Sequence, residues 1–538
     1  MQSKSNSVAM EAKVQREIFK SFKSRGLSLR ADASKALLRV LLQEDDIQDS
    51  LNIILAEIKD RIEKKDIKSS VIDLGIIETI VADLSSNDED ISKTSTQLFD
   101  AYESPRIEFD ERQKSYRVNT SPAFAFNAPP ESKPRMFRER LILIQQRLLR
   151  SNLKMKGMGS KGGEGIELST VDSLLGITEP RILCGYLLDP VEGEVYLEDL
   201  TGIVQLELSP AVQGIKDGLY PLGSIAIVQG AMHGKIFAVS QISQPPAEPR
   251  EKTLNAMSIL DTFGNETRQQ QVMHMQEIEA RSHESLFVIL SDLKIDRPLV
   301  MEKLQTVFEG YEQCGVDPLF ILIGSFTSMN YLQDGNREAI KEVFDNLANV
   351  ICSCTRLSQK ARFLLVPSEF DPGLGVVFPR HKILEPYVKD LQKKVPHISF
   401  ASNPCRIRFY TQEIVIYREN LLRKMQKQSV VKTYSIAKAA GLSQEEEDEA
   451  DPCELLVQTI LNQGHLSPLP LSQRPIVWEM DFTMRLTPIP HLVILADKCQ
   501  QYNYYYQGCN VANPGSFSAD FSFLAYRPST RGVEFSRL

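Results

Sequence analysis

The stretch LFILIGSFTS, residues 319–328, decides the fold of the second half of this chain. Its first five residues are all apolar, which is typical of a parallel strand that is buried on both faces. Helical periodicity at 298–309 and 336–351 flanks this run on both sides. The pattern predicts an α/β fold from residue 283 to 538. Four further runs are equally apolar: Leu286–Leu290, Phe363–Val366, Ile414–Tyr417 and Leu492–Ala496.

Residues 166–248 predict a small all-β domain. Val204, Leu206 and Leu208 alternate with polar residues, which is the pattern of a strand with one buried face. His233-Gly234 predicts a hairpin turn between two such strands. Five short strands in about 80 residues are typical of a closed barrel of the OB type.

The charge of the predicted barrel bears on what it could bind. Residues 166–248 hold eleven Asp/Glu and three Lys/Arg, whereas the whole chain holds 70 and 62. A groove for single-stranded nucleic acid needs basic side chains and stacking aromatic rings. The acidic balance favours a barrel that binds protein, and direct binding of nucleic acid is the alternative.

The segments before the barrel differ in character. Residues 1–82 contain four short stretches with apolar residues at helical spacing, and they predict an N-terminal helical domain. An excess of Lys/Arg in 11–40 favours a solvated face, with a docking surface for an acidic partner as the alternative. Residues 83–165 predict a linker with one helix: the part 83–135 is polar and proline-rich and predicts one hairpin, and the helix follows it. The stretches 154–165 and 444–452 predict flexible loops.

Dispersed cysteines and histidines argue against a local metal motif. None of the eight cysteines belongs to a C-x-x-C pair, and no two of the seven histidines have the spacing of H-E-x-x-H. We therefore predict no zinc finger and no cofactor. The sequence also contains no run of 18 apolar residues, so we predict no membrane contact.

Polar loops follow the apolar runs at the carboxyl ends of the predicted strands, where an α/β sheet places its site. Their order resembles the calcineurin-like metallophosphoesterases, whose motifs are D-x-H, G-D-x-x-D/N, G-N-H-D/E and G-H-x-H, followed by N-P-G-S. Here Asn513–Ser516 supplies the last motif. The positions that correspond to the other four are Asp292, Lys294, Gly324, Ser325, Ser328, Ser368, Glu369, Phe370, Asp371, Ala496, Asp497 and Lys498.

The side chains at these positions depart from the phosphoesterase pattern. Lys294 and Phe370 stand where histidines belong, Ser325 replaces the bridging aspartate, and Ala496–Lys498 replaces G-H-x-H. Two adjacent divalent cations need a bridging carboxylate and neutral imidazoles, and an ammonium group beside them is repulsive. We predict an inactive site in which Asp292 pairs with a lysine. A residually active metallophosphoesterase is the alternative.

An acidic barrel followed by an inactive phosphoesterase domain resembles the B-subunit family of replicative DNA polymerases. Three stretches resemble the epsilon type within that family: Ser402–Ile407, Thr411–Ile414 and Gln463–Pro470. The helical domain 1–82 resembles the small helical domain of AAA+ ATPases, as in that type. B subunits of polymerase alpha or delta are the alternatives. His465, within G-H-L-x-P-L-P, is expected to be a hydrogen-bonded structural residue.

This resemblance implies a non-catalytic accessory subunit of DNA polymerase epsilon that acts in nuclear DNA replication. It implies a scaffold that holds the cysteine-rich C-terminal domain of the catalytic subunit. The N-terminal helical domain would link the polymerase to the replicative helicase assembly through GINS. Small histone-fold subunits would belong to the same complex, and contact with DNA would be indirect.

Overall fold

A computed structural model gives the architecture of the chain. The chain divides into two compact units, Met1–Ser95 and Thr96–Leu538. The glycine-rich stretch 154–165 and residues 444–450 of the acidic loop lie outside the described residues. The structure describes residues 14–23, 27–41, 51, 54–55, 58, 71–77, 96–119, 128–151, 168–208, 217–257, 269–328, 337–373, 376–431 and 451–538.

The first unit includes helices at 14–23 and Ala31–Leu41. Their apolar faces meet in one core, in which Ile18 and Leu37 are fully buried. The described part also contains a parallel pair of two-residue strands, Ser28–Leu29 with Val71–Ile72. Helical periodicity did not predict this pairing, because strands of two residues carry no detectable period.

The barrel predicted for residues 166–248 is present, and its five strands close into a ring. Val204 and Leu206 face the barrel core, whereas Gln205 and Glu207 are more exposed, as the alternation predicts. The last strand closes the ring because it pairs in parallel with the third and antiparallel with the fourth. In chain order the strands are Arg181–Leu188, Val195–Glu198, Ile203–Leu208, Ile225–His233 and Ile236–Ser243.

The predicted helix before the barrel spans Ser132–Ser151 and packs on the outside of the barrel. Leu141 and Ile144 share a core with Tyr186, whose hydroxyl donates to the carbonyl of Phe137 at 2.8 Å. The helix contains six Lys/Arg and one Glu. The charge count over 166–248 therefore leaves out a basic helix that shares a core with the barrel. Charge alone is then a weaker argument for a barrel that binds protein.

Two six-stranded sheets form the α/β part. In spatial order the first contains Ile398–Phe400, Arg362–Val366, Leu319–Ile323, Phe287–Leu290, Ser522–Arg527 and Gly532–Arg537. Its first four strands are mutually parallel. The second contains Tyr502–Tyr506, Cys509–Asn513, Leu492–Ala496, Gln412–Arg418, Cys405–Phe409 and Thr96–Asp100, with the second to fourth strands parallel. All five predicted apolar strands are present.

The two sheets pack face to face, and helices cover their outer faces. Ile289 and Ile321 lie in the core between the sheets, whereas Val288 and Phe320 point outward beneath helices. The α-helices that the structure describes in this unit after the barrel are Arg250–Met257, Gln269–Arg281, Pro298–Cys314, Arg337–Ser353, Thr355–Lys360, Glu385–Lys394, Leu421–Gln428, Pro452–Gln463 and Phe517–Asp520. Within the described ranges, no helix is long and apolar enough to cross a bilayer.

Part of the segment predicted as linker belongs to the folded unit. Thr96–Asp100 is an edge strand of the second sheet and pairs with Cys405–Phe409. Arg106–Asp110 and Ser115–Asn119 form a hairpin. Residues 96–119 are therefore part of the folded unit and not a linker. The hairpin is the one predicted for this segment. The edge strand was not predicted, because its pattern is largely polar and its partner lies far along the chain.

Candidate functional site

Loops from both sheets converge on the side chain of Arg418, which was not among the positions predicted from the sequence. Arg418 ends the strand Gln412–Arg418, and only 2% of its surface is exposed. Its Nε donates to the carbonyl of Gly324 at 2.7 Å, and its Nη1 donates to the carbonyl of Ala496 at 2.7 Å. One guanidinium therefore joins a loop of the first sheet to a loop of the second.

Asp292 lies beside this guanidinium and is also buried. Its Oδ2 accepts hydrogen bonds from Ser516 Oγ at 2.7 Å and from Ser518 Oγ at 3.1 Å. The ammonium of Lys294 lies 3.3 Å from the same oxygen, as predicted for an ion pair. Burial by itself raises the pKa of Asp292, but Arg418 and the hydrogen bond from Ser516 outweigh it, so the pKa is below its usual value. The carboxylate is therefore charged at neutral pH.

Two further cations face the other oxygen of Asp292. Arg418 Nη2 lies 3.5 Å and Lys498 Nζ 3.7 Å from Asp292 Oδ1. Burial lowers the pKa of Lys498, and the attraction of Asp292 only partly opposes that effect. With Lys294, three cations surround one carboxylate. The immediate neighbourhood of Asp292 thus carries an excess of positive charge.

A second carboxylate, that of Asp371, is turned toward the backbone. Its Oδ1 accepts from the N–H of Phe326 and its Oδ2 accepts from the N–H of Ser368, both at 2.7 Å. Burial raises the pKa of Asp371, and these two bonds oppose the shift. A Cβ at Gly324 would overlap this carboxylate and lie 2.8 Å from the nitrogen of Ser368, so only glycine fits there. The carboxylate of Asp371 therefore links the loop at Phe326 to the loop at Ser368 by hydrogen bonds.

Other predicted positions are not brought to Asp292. The N–H of Ser328 donates to Asp296 Oδ2 at 2.9 Å, and Ser328 is exposed. Glu369 pairs with Arg474 at 2.8 Å. The ring of Phe370 is 41% exposed. These three side chains therefore belong to the surrounding surface and not to the centre of the site.

The side chains of two buried serines contact each other, and the loop at Asp497 is held by hydrogen bonds that involve the backbone. Ser325 Oγ and Ser368 Oγ lie 3.0 Å apart. Asp497 accepts from the N–H of Leu422 at 2.9 Å, and its own N–H donates to the side chain of Asn513 at 3.2 Å. The N-P-G-S stretch that begins at Asn513 therefore acts as a turn that fixes the Asp497 loop.

The side chains around Asp292 do not fit a pair of divalent cations. Two lysines, one arginine and two serines contact this carboxylate, and none of them is an imidazole or a second carboxylate. Among the residues with described positions, no group of three His, Cys, Asp or Glu side chains is placed to hold a metal ion. The arrangement can hold an ion-pair network, but it does not supply the ligands of a dinuclear centre.

His465 lies away from this site, in a second buried cluster. Its Nδ1 accepts from the N–H of Ser467 at 3.0 Å, so its Nε2 carries the proton and donates to Asp481 Oδ1 at 3.2 Å. Burial lowers the pKa of His465 to about 4, and the positive charge of Arg140 adds to the effect. The imidazole is therefore neutral at physiological pH and acts as a structural group.

Family models match three parts of the chain. The model for the B subunits of DNA polymerases alpha and epsilon matches residues 287–504. The model "DNA polymerase epsilon subunit 2-like, OB-fold domain" matches 130–246, and "DNA polymerases epsilon N terminal" matches 10–84. The OB-fold model thus includes the helix Ser132–Ser151, which the predicted boundary at 166 had left in the linker. Together these matches define the class, which is the B subunits of the alpha/epsilon type.

Curated relatives cover almost the whole chain. The B subunit of DNA polymerase epsilon from Arabidopsis thaliana is 34% identical, over 97% of this chain and 98% of its own length. "DNA polymerase epsilon subunit 2" of Homo sapiens is 33% identical, over 96% and 97%. The chain belongs to the family of DNA polymerase epsilon B subunits, also called subunit 2. This confirms the resemblance stated from the sequence and separates the chain from the alpha and delta types.

Solved structures show more distant likenesses. An archaeal phosphodiesterase aligns with a TM-score of 0.25 and 12% identity, over 47% of this chain and 99% of its own. A hypothetical protein from Pyrococcus horikoshii OT3 has a TM-score of 0.25 and 11% identity, over 47% and 88%. Likenesses as weak as these do not establish a shared activity.

Proposed function

We propose that this chain is a non-catalytic scaffold within DNA polymerase epsilon, and that its phosphoesterase-like site is inactive. The observation that carries the proposal is the network around Asp292. Arg418, Lys294 and Lys498 supply positive charge where a phosphoesterase would bind two divalent cations. A divalent cation placed beside these ammonium and guanidinium groups would be repelled by several kcal/mol in a partly buried site.

The scaffold would hold the cysteine-rich C-terminal domain of the catalytic subunit. An obligate contact of this kind buries upwards of about 2,000 Å², and the unit Thr96–Leu538 offers one continuous fold for it. The N-terminal unit would link the polymerase to the replicative helicase assembly through GINS. Small histone-fold subunits would complete the complex, which would act in the nucleus and contact DNA indirectly.

Calorimetry with Mn²⁺ and a phosphodiester assay test the inactive site. We expect the full-length chain to bind no pair of Mn²⁺ ions and to leave bis(p-nitrophenyl) phosphate intact. A positive result would count against the proposal only if Asp292→Asn abolished it, because a contaminating enzyme would not respond to that substitution. Two tight sites that are lost in Asp292→Asn would overturn the proposal of an inactive site.

Co-purification tests the scaffold. The full chain and a variant that lacks Met1–Ser95 would each be expressed with the C-terminal domain of the catalytic subunit and, separately, with GINS. We expect the shortened chain to retain the catalytic subunit and to lose GINS. Loss of the catalytic subunit from both forms would exclude the scaffold role, even if the site is inactive.

A further inference from the structure

Two cysteine side chains that are distant in the sequence, those of Cys453 and Cys499, lie against each other in the fold. Their thiols share a hydrogen bond, and both pack against the same apolar core. Both are free thiols and are partly exposed, so a small solute can reach them. Thiols that already touch are placed for a disulfide that needs only small movements of the chain.

The start of the helix Pro452–Gln463 fixes the position of Cys453. Asp451 caps this helix, and its Oδ1 accepts from the N–H of Cys453 at 2.8 Å. The other carboxylate oxygen accepts from the hydroxyl of Tyr504, which lies in an edge strand of the second sheet. The first turn of the helix, with Cys453 in it, is therefore fastened to this sheet.

Asn513 fixes the loop that carries Cys499. Its Nδ2 donates to the carbonyl oxygens of Cys499 at 3.1 Å and of Gln500 at 3.0 Å, and it also lies 3.2 Å from Cys499 Sγ. Its Oδ1 accepts from the N–H of Asp497 at 3.2 Å. The backbone on both sides of Cys499 is thus held, and its thiol reaches Cys453 from a fixed loop.

The two thiols differ in acidity. A hydrogen bond donated by the Cys499 thiol lowers the pKa of Cys453, and burial and the charges of Asp451 and Asp497 only partly oppose this effect. The same hydrogen bond raises the pKa of Cys499, and burial adds to that shift. The thiolate is the nucleophilic form of cysteine, and the N-terminus of a helix favours it. Cys453 is therefore the more reactive of the two sulfurs.

We propose that Cys453 and Cys499 form a reversible disulfide when the protein meets a peroxide. The thiolate of Cys453 attacks one oxygen of hydrogen peroxide, the O–O bond breaks, and the hydroxide that is released takes up a proton and leaves as water. The sulfur of Cys499 then attacks the sulfenic acid on Cys453, which forms the S–S bond and releases a second water. The two thiols are oxidised, the peroxide is reduced, and a thiol reductant reverses the change.

The disulfide would join the first turn of a helix to the loop that carries Lys498, one of the three cations at Asp292. A cross-link between distant parts of a chain restricts mainly the unfolded state. The bond would therefore fasten this loop without adding a new contact to the folded protein. This modification depends neither on the scaffold role nor on the inactivity of the site at Asp292.

Peptide mapping of the full-length chain after treatment with hydrogen peroxide tests the proposal. The remaining thiols are blocked with N-ethylmaleimide before digestion, and the peptides are identified by mass spectrometry. We expect a cross-linked pair of peptides that contains Cys453 and Cys499, and we expect dithiothreitol to remove it. Cys314→Ser is the matched control, because Cys314 is a more exposed thiol on a helix that covers the first sheet; the cross-link should persist in it.

Dimedone labelling separates the roles of the two sulfurs, since this reagent traps a sulfenic acid. Cys499→Ser keeps a hydroxyl that can donate the same hydrogen bond, so Cys453 should remain reactive and be labelled. Cys453→Ser should leave Cys499 labelled more weakly, because burial still raises its pKa. Equal labelling of the two variants would overturn the order of attack.

The decisive measurement needs only the wild-type chain, so it does not depend on whether either variant folds. Absence of the cross-linked pair after peroxide treatment of the folded chain would overturn the proposal. Its appearance only in urea would do the same, because the fold would then not be what brings the two thiols together.

Discussion

Two carboxylates of this protein, Asp292 and Asp481, are equally buried and each faces two or more cations, but they differ in how exposed those cations are and in what they join. Asp292 faces one buried guanidinium and two lysines, of which the Lys498 side chain is 41% exposed. Asp481 faces two buried arginines and the neutral His465. The first centre holds strand-end loops together, and the second attaches the helix Ser132–Ser151 to the sandwich.

In both centres a buried arginine lies beside an aspartate, but one centre fixes loops and the other attaches a helix. Arg418 reaches loops of both sheets by hydrogen bonds to two carbonyl oxygens, so the loops are fixed even without the carboxylate. Arg140, in contrast, comes from an element outside the sandwich and depends on Asp481 for its partner. Solvent can relax the first centre through its partly exposed lysines, whereas the arginines of the second centre are buried.

The largest expected effect is that of Asp481→Asn. This change leaves Arg140 buried without its counter-charge, whereas Arg485 keeps Glu139, and loss of one partner of a buried pair costs about 3–5 kcal/mol. Urea denaturation should show this loss in the free energy of unfolding. Glu111→Gln is the control, since it breaks an exposed pair with Arg138 and should cost less than about 1 kcal/mol. Equal effects of both changes would remove the distinction between the two centres.

Asp292→Asn should destabilise the protein less, by about 2–3 kcal/mol. The buried Arg418 loses its charge partner but keeps its carbonyl acceptors, and the lysines can turn toward water. The measurement is again the free energy of unfolding. A loss as large as that of Asp481→Asn would mean that the partly exposed lysines do not relieve the charge.

The pH dependence sharpens the same comparison. Because the pKa of Asp292 is lower in the folded protein than in the unfolded chain, its ion pairs stabilise the fold above about pH 4. This contribution is lost as the pH falls through the folded pKa. The difference in unfolding free energy between wild type and Asp292→Asn should therefore shrink as the pH falls below about 4, the ordinary pKa of aspartate, because the folded pKa lies lower still. A constant difference would show that the charge of Asp292 is not the cause.

The smallest expected effect is that of Lys498→Met. Its ammonium is the most distant of the three cations from Asp292 and is partly exposed, so its removal should change the free energy of unfolding by less than about 1 kcal/mol. A thermal-shift assay with Asp292→Asn as the reference would compare the two. A loss greater than that of Asp292→Asn would contradict the assignment of Arg418 as the main partner.

Much of the fold could be predicted because each strand carries its own signal. The runs Leu319–Ile323 and Leu492–Ala496 coincide with the observed strands, since burial on both faces selects a continuous apolar run. The edge strand Thr96–Asp100 was not predicted, because one side of an edge strand is solvated. Its own residues also do not indicate that it pairs with Cys405–Phe409.

The candidate site was predicted only in part. Asp292 and Lys294 were found from their position after a strand, and the same rule applied to Ile414–Tyr417 would have pointed to Arg418, the next residue. Arg418 matches none of the phosphoesterase motifs, so the resemblance does not point to it. Asp371 was placed in the site but turns its carboxylate to backbone N–H groups.

The amino-acid sequence by itself determined the five apolar strands and the five-stranded barrel, because each follows from local composition and period. Only the tertiary structure decided that Arg418 and Lys498 meet at Asp292. Charges are neutralised by neighbours in space, and those neighbours come from strands and helices far apart in the chain.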